Sequence, residues 1–154
     1  GEYIEHDAEI ARDASLHLKD GDPHGTMVYF GSVDETGHKV GFHPSVKPYV
    51  AAIEVVDRHV GQLLKAIDSR PGRTRENWLI LVSTDHGGKG TGHGDGQKVP
   101  EIRTVFLIVS GTAAKVGKIQ QQTYLVDLPV TALVHLGVKI DPAWKLDGRS
   151  AGLK

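Results

Sequence analysis

The sequence predicts an α/β protein: a three-layer α/β/α sandwich around a mostly parallel sheet. Short runs of apolar residues with little alternation are typical of strands that helices cover on both faces. Such runs occupy residues 26–33, 78–84 and 104–109. They alternate with segments of helical periodicity, which favours a sandwich of helices and parallel strands. With 154 residues the chain is long enough to bury roughly 70% of its unfolded surface. We therefore expect one domain over residues 1–154.

Three helices are predicted from residues spaced three and four apart. The first covers residues 2–19, with a face formed by Ile4, Ala8, Ala11, Ser15 and Leu18, and Asp20-Gly21-Asp22-Pro23 ends it. The second runs from Pro44 to about Ser69, with a stripe formed by Val50, Ile53, Asp57, Val60, Leu64 and Ile67. A buried, unpaired charge is costly, so Asp57 is expected to be hydrogen-bonded. The third has Thr123 as its N-cap and Gly137 as its stop.

Composition excludes several classes of function. Charged residues make up 24% of the chain and the net charge is -1, so no electrostatic footprint for nucleic acid is present. No apolar run is long enough for a membrane span, and no signal peptide is recognisable within these residues. The chain has no cysteine, which excludes disulfides and thiolate metal ligands.

Metal-capable side chains follow the first two predicted strands. Asp34 and His38 come after residues 26–33, and Asp85 and His86 come after residues 78–84. His93 lies in the glycine-rich stretch that follows, GKGTGHG. Ligands of an open α/β sheet gather outside the carboxyl ends of its strands, so we expect these residues to meet there.

The residue types indicate an open metal site. Carboxylate and imidazole together suit zinc, manganese or iron, and the lack of thiolates disfavours a closed structural zinc site. Gly37 is expected to let the backbone turn His38 back toward Asp34. Asp85 and His86 can converge only where their strand has ended, and Gly87-Gly88 supplies that break.

Other interpretations of these residues stay open. Asp34 alone would fit a turn in which it accepts backbone N–H groups, and His93 alone would fit a solvated loop tip. The glycines do not form a phosphate-binding loop, because Gly88-Lys89 is followed by Gly90 instead of serine or threonine. The dinucleotide fingerprint fails as well, since Asp95 stands where its third glycine would be.

The strings VDETGH, VSTDHGG and GTGHG, in this order, resemble the carboxyl-terminal half of the alkaline phosphatase superfamily. The similarity is to its type I phosphodiesterase and nucleotide pyrophosphatase branch, and it extends over nearly all of the chain from about residue 26. Downstream, Pro100, Arg103, Asp127-Leu-Pro and Asp147-Gly-Arg also fit the pattern.

The resemblance implies two divalent ions, zinc or else manganese, a few ångströms apart. Asp34, His38 and His93 would hold one ion, and Asp85 and His86 would hold the other. The implied reaction is hydrolysis of a phosphodiester or nucleotide pyrophosphate through a phosphoenzyme. Lys39, Phe42 and His43 are candidate contacts at the substrate rim.

The chain departs from the family pattern in one respect. It contains no strand followed by a serine or threonine nucleophile, and Ser83 and Thr84 lie on a strand predicted to be buried. We therefore expect the nucleophile in a missing amino-terminal half and little activity from these residues alone. The alternatives are a manganese-dependent phosphomutase or a sulfatase of the same superfamily, or a noncatalytic metal-binding module. The resemblance makes a periplasmic or extracellular location an expectation.

Overall fold

The computed structural model describes residues 2–154, with side chains described from Glu5 onward, and shows a mixed α/β fold. Its helices are α1 (Glu2–Asp20), α2 (Ser32–Val40), α3 (Lys47–Asp68), α4 (Pro100–Arg103) and α5 (Asp127–His135). The strands are β1 (Leu79–Ser83) and β2 (Leu107–Gly111), and short 3-10 turns cover Arg73–Arg75 and Pro142–Trp144. The chain divides into a helical unit (residues up to Arg75 with Gly87–Ile102) and a sheet unit (Glu76–His86 with Arg103–Lys154).

Helix α1 matches the helix predicted at residues 2–19 and packs against α2 and α3. Its buried side chains are Asp7, Ala11 and Leu18, whereas the predicted face member Ala8 is exposed. The side chain of Ile4 lies outside the described residues. At the other end of the helix, the Arg70 guanidinium donates to the carbonyls of Leu18 and Gly21. The side chain of Arg70, which follows the end of α3, thereby caps the end of α1.

The prediction of a strand at residues 26–33 is wrong. Residues 22–31 are irregular, and helix α2 begins at Ser32. A strand needs a partner edge for its backbone hydrogen bonds, and β1 and β2 are the only strands that pair within the described residues, apart from two isolated bridges outside residues 26–33. The apolar run was a sound indicator of β-propensity, but propensity without a partner does not produce a strand. Asp34 and His38 therefore lie on a helix instead of beyond a strand end.

The stripe predicted for α3 is displaced around the helix. The side that packs on α1 and α2 buries His59, Ala66 and Ile67, with Val55 and Val56 half-buried. Asp57 is exposed, so the expectation of a buried, hydrogen-bonded carboxylate is wrong. Apolar residues surround much of α3, and spacing alone could not tell which of two neighbouring stripes faces inward.

In the sheet unit, β1 lies within the strand predicted at residues 78–84, and β2 overlaps the strand predicted at 104–109 but begins later and continues to Gly111. The two strands pair antiparallel, from Leu79 opposite Gly111 to Ser83 opposite Leu107. A mostly parallel sheet is thus not formed by residues 2–154. An apolar run locates a strand but does not encode the direction of its partner. Helix α5 packs against β1.

Helix α5 begins at Asp127, later than the predicted N-cap Thr123. The buried Asp127 carboxylate accepts the backbone N–H groups of Tyr124 and Arg149, each at 2.8 Å. These bonds hold the carboxyl-terminal segment against the start of α5. Across the described part of the chain, no helix is both long and apolar enough to cross a membrane.

Candidate metal centre

Asp34 and His38 lie on one face of helix α2 because residues four apart on a helix are neighbours. Asp34 Oδ2 is 3.5 Å from His38 Nε2. The predicted proximity of this pair is present, but Gly37 does not create it by freeing a turn, since Gly37 is buried within the helix. The helical spacing alone brings the carboxylate and the imidazole together.

His93 reaches the same carboxylate from the glycine-rich loop. Its Nε2 is 3.5 Å from Asp34 Oδ1, and its ring centroid is 4.8 Å from that of His38. Asp34 thus lies between two imidazoles, with one oxygen toward each. The three side chains are 36% to 44% exposed, so an exogenous ligand has access to them.

A backbone carbonyl fixes the orientation of His38. The Nδ1 atom lies 2.9 Å from the carbonyl oxygen of Thr91. Because a carbonyl oxygen can only accept, Nδ1 must carry the proton that it donates. Nε2, which faces Asp34, is then the nitrogen left to bind a cation. Hydrogen bonds of this kind are usual for metal-binding histidines and set their tautomer.

Phe42 packs beside both imidazoles. Its ring centroid lies 5.4 Å from that of His38 and 6.3 Å from that of His93, both in edge-on geometry. A Cβ atom at Gly37 or at Gly88 would overlap the Phe42 ring. These two glycines therefore admit the aromatic side chain between α2 and the glycine-rich loop. Phe42 is half-buried in this position, which identifies it as a support for the histidines in addition to its candidate place at the rim.

The glycine-rich loop is tied at several points. The Phe42 N–H donates to the carbonyl of Gly90 at 2.7 Å, and Lys89 and Gly92 form an isolated antiparallel bridge. Lys89 Nζ also donates to Glu101 Oε1 at 2.9 Å. This hydrogen bond to Lys89 lowers the pKa of Glu101 below its usual value. The loop that carries His93 is therefore held in place within the helical unit.

The negative charge of Asp34 affects the pKa of Tyr49 on α3. Burial, and then the charge of Asp34, raise the pKa of the Tyr49 phenol above its usual value. The Tyr49 ring packs edge-on against Phe42, with centroids 5.6 Å apart. The pKa of Tyr49, which packs against Phe42, therefore depends in part on the charge of the Asp34 carboxylate.

Asp85 and His86 belong to the sheet unit and lie close to each other. Strand β1 ends at Ser83, so the two side chains are not forced to opposite faces, and Asp85 Oδ2 is 3.7 Å from His86 Nε2. Asp85 Oδ1 also accepts the backbone N–H of His86 at 3.1 Å. The expectation that this pair converges beyond the strand end agrees with this geometry.

One carboxylate and two imidazoles are a donor set that fits zinc or manganese, and Asp85 with His86 is a smaller set of the same type. The sequence profile described as "Type I phosphodiesterase / nucleotide pyrophosphatase" matches residues 2–118. The chain belongs to this family. The family is metal-dependent and lies in the alkaline phosphatase superfamily. No curated protein and no solved structure matches the chain.

The other two candidate rim residues, Lys39 and His43, lie at the end of α2 and in the loop after it. Lys39 pairs with Glu35 one turn earlier on the helix. His43 Nδ1 lies 2.7 Å from Ser45 Oγ. Both His43 and Lys39 are exposed, so a substrate could contact either side chain.

Three contributions near Asp34, His38 and His93 were not predicted from the sequence: the Thr91 carbonyl, the packing of Phe42 and the buried Asp7, whose carboxylate accepts the backbone N–H groups of Gly31 and Ser32 at the start of α2. Thr91 contributes only its backbone carbonyl, for which no side-chain signal exists. Asp7 had a signal, because it precedes Ala11, Ala14 and Leu18 at spacings of four, three and four along the inner face of α1. A carboxylate on an apolar helix face predicts a buried partner.

Proposed function

We propose that the chain is the metal-binding portion of a hydrolase that cleaves phosphodiesters or nucleotide pyrophosphates with two divalent ions, zinc or manganese. In this proposal Asp34, His38 and His93 hold one ion, and Asp85 and His86 contribute to the other. The observation that supports it is the meeting of Asp34 with two imidazoles from α2 and from the glycine-rich loop. Membership of the type I phosphodiesterase family supports the reaction class.

Each residue of the first group has a separate task in this proposal. Asp34 supplies negative charge, His38 presents Nε2 because Nδ1 is bonded to the Thr91 carbonyl, and His93 completes the donor set. Phe42 restricts the rotation of both rings by packing beside them. Bound divalent ions would activate a nucleophile and stabilise charge on the phosphoryl oxygens and the leaving group.

The nucleophile is proposed to be a serine or threonine hydroxyl in an amino-terminal segment of a longer protein. Its oxygen would bond to phosphorus as the ester oxygen departs, and water would then cleave the phosphoenzyme. Ser83 is a poor candidate for this role because its hydroxyl donates to the carbonyl of Phe106 at 2.6 Å. The complete α/β/α sandwich and an extracytoplasmic location belong to the same proposal and rest on the family alone.

The test is hydrolysis of nitrophenyl phosphate mono- and diesters and a nitrophenyl sulfate, with zinc and with manganese. The protein made from the complete reading frame should hydrolyse the diester efficiently, and Asp85→Ala and His86→Ala should abolish that activity. His24→Ala, at an exposed histidine, is the matched control and should keep it. Residues 1–154 alone should give only a trace rate.

Each other outcome would contradict a defined part of the proposal. Rapid turnover by residues 1–154 alone would disprove the external nucleophile. Preference for the sulfate ester would indicate that the complete protein is a sulfatase. A complete protein that binds zinc but hydrolyses none of the esters would favour a noncatalytic metal-binding module.

A further inference from the structure

A buried carboxylate of α1 holds the start of the helix that carries Asp34 and His38. Asp7 is 1% exposed. Its Oδ1 accepts the backbone N–H of Gly31 at 3.0 Å, and its Oδ2 accepts that of Ser32 at 2.9 Å. Both oxygens are thus used on consecutive amides where α2 begins.

Helix α2 has no local substitute for this contact. The first N–H groups of a helix have no partner within the helix, and a side chain at the N-cap normally binds one of them. Here the N-cap is Gly31, which has no side chain, and no side-chain cap bond forms there. Asp7 instead binds the N–H groups of the N-cap residue and of the first helical residue, so a side chain of α1 satisfies two of the unpartnered donors at the start of α2.

The start of α2 also sets the position of the candidate ligands. Asp34 lies in the first turn of α2 and His38 lies one turn further along. A shift or fraying of this first turn would move the Asp34 carboxylate relative to His93, which reaches it from another segment. The positive end of a helix dipole opposes binding of a cation near it, and a buried carboxylate at that end offsets the opposition.

We infer that Asp7 is a positioning residue for the metal centre: it fixes the first turn of α2 so that Asp34 meets His38 and His93. This inference rests on the proposed function for the identity of the ligands. It adds a residue outside the donor set whose loss should weaken cation binding without removing any ligand.

The sheet unit offers a matched control. Asp127 is also 1% exposed, and its two carboxylate oxygens likewise accept two backbone N–H groups, from Tyr124 and Arg149. Asp7→Asn and Asp127→Asn make the same chemical change in the same kind of environment. Asparagine keeps the size and one acceptor oxygen, so both variants are milder than replacement by alanine.

The experiment titrates the full chain, its two asparagine variants and Asp34→Asn with Co²⁺, whose visible absorption reports the coordination geometry. Asp7→Asn should weaken Co²⁺ binding about tenfold and change the absorption bands, as loss of an outer partner of a metal ligand does. Asp127→Asn should keep both the affinity and the bands of the parent. Asp34→Asn should lose the bands, which assigns them to this group.

Hydrogen exchange of the α2 amides without metal gives a second readout. Asp7→Asn should speed exchange in α2, whereas Asp127→Asn should leave α2 unchanged although its thermal midpoint also falls. Parental affinity together with parental α2 exchange in Asp7→Asn would overturn the inference and leave the metal centre intact. If Asp127→Asn weakened Co²⁺ binding as much as Asp7→Asn does, the inference would also be overturned, because the loss of affinity would then reflect lower overall stability. A parent that binds no Co²⁺ would overturn the metal centre itself, and the positioning role with it.

Discussion

The two groups of metal-capable residues are assembled in different ways. In the helical unit, Asp34 meets an imidazole one helical turn away and another from a separate loop, and Phe42, Thr91 and Asp7 hold these elements. In the sheet unit, Asp85 and His86 are neighbours in sequence and converge through the local backbone after β1. Contacts from outside the donor set therefore support the first group, whereas the two members of the second group are brought together by their adjacent positions in the chain.

Replacing Phe42 is expected to have the largest effect, because Phe42 contacts both imidazoles of the first group. Phe42→Ala should lower the free energy of unfolding by about 2 kcal/mol, less than a fully buried phenylalanine because Phe42 is half-buried. It should also weaken metal binding, since both imidazoles lose their aromatic neighbour. Chemical denaturation and metal titration measure the two effects.

Gly88→Ala tests the same contact from the loop side. Its new methyl group would overlap the Phe42 ring, at a cost of about 1–3 kcal/mol. Gly94→Ala in the same loop is the control, because a Cβ there meets no atom, and its effect should stay within about 0.5 kcal/mol. Equal stability of the two variants would show that the packing of Phe42 does not hold the loop.

A smaller effect should appear in the titration of Tyr49. The folded pKa of this phenol is raised, so its contribution to stability is present below the unfolded pKa and is lost as pH rises through the folded pKa. A cation bound to Asp34 offsets the negative charge that helps to raise the pKa, so metal should lower it. Absorbance titration of tyrosinate, with Tyr49→Phe subtracted, measures the shift. An identical Tyr49 titration with and without zinc would argue against cation binding at Asp34.

The smallest effect concerns the exposed pair Lys89 and Glu101. The lowered pKa of Glu101 means that its contribution is present above the unfolded pKa and is lost as pH falls through the folded pKa. Glu101→Gln should slightly lower the thermal midpoint at neutral pH and leave it unchanged in acid. High salt should reduce even this difference, because exposed pairs are screened. If Glu101→Gln still lowered the thermal midpoint in acid, the effect would come from packing and not from charge.

The sequence predicted this molecule best where the signal was local. The positions of α1, α3, β1 and β2 followed from periodicity and apolar runs, and the spacing of Asp34 and His38 placed them together. The reason given for that pair was wrong, because Gly37 lies within α2 and frees no turn, and residues 26–33 do not form the strand that the pair was expected to follow. The ion-binding roles of these residues stay a prediction.

What the sequence could not supply were contacts between distant segments. Nothing near α2 indicates that Asp7 caps it, and nothing near His38 indicates the Thr91 carbonyl. The direction of the β1 and β2 pairing and the inward side of α3 are likewise set by partners and not by composition. Asp57 is exposed although its spacing predicted burial, so spacing alone does not establish which side chains of α3 are buried.

The most direct test of the metal centre is a crystal structure of the chain grown with zinc, using anomalous diffraction at the zinc absorption edge. We predict an anomalous peak about 2.0–2.2 Å from an Asp34 carboxylate oxygen and from Nε2 of both His38 and His93. The His38 Nδ1 atom should remain bonded to the Thr91 carbonyl. A structure with no zinc at this position, or with zinc bound through His38 Nδ1, would contradict the proposed centre.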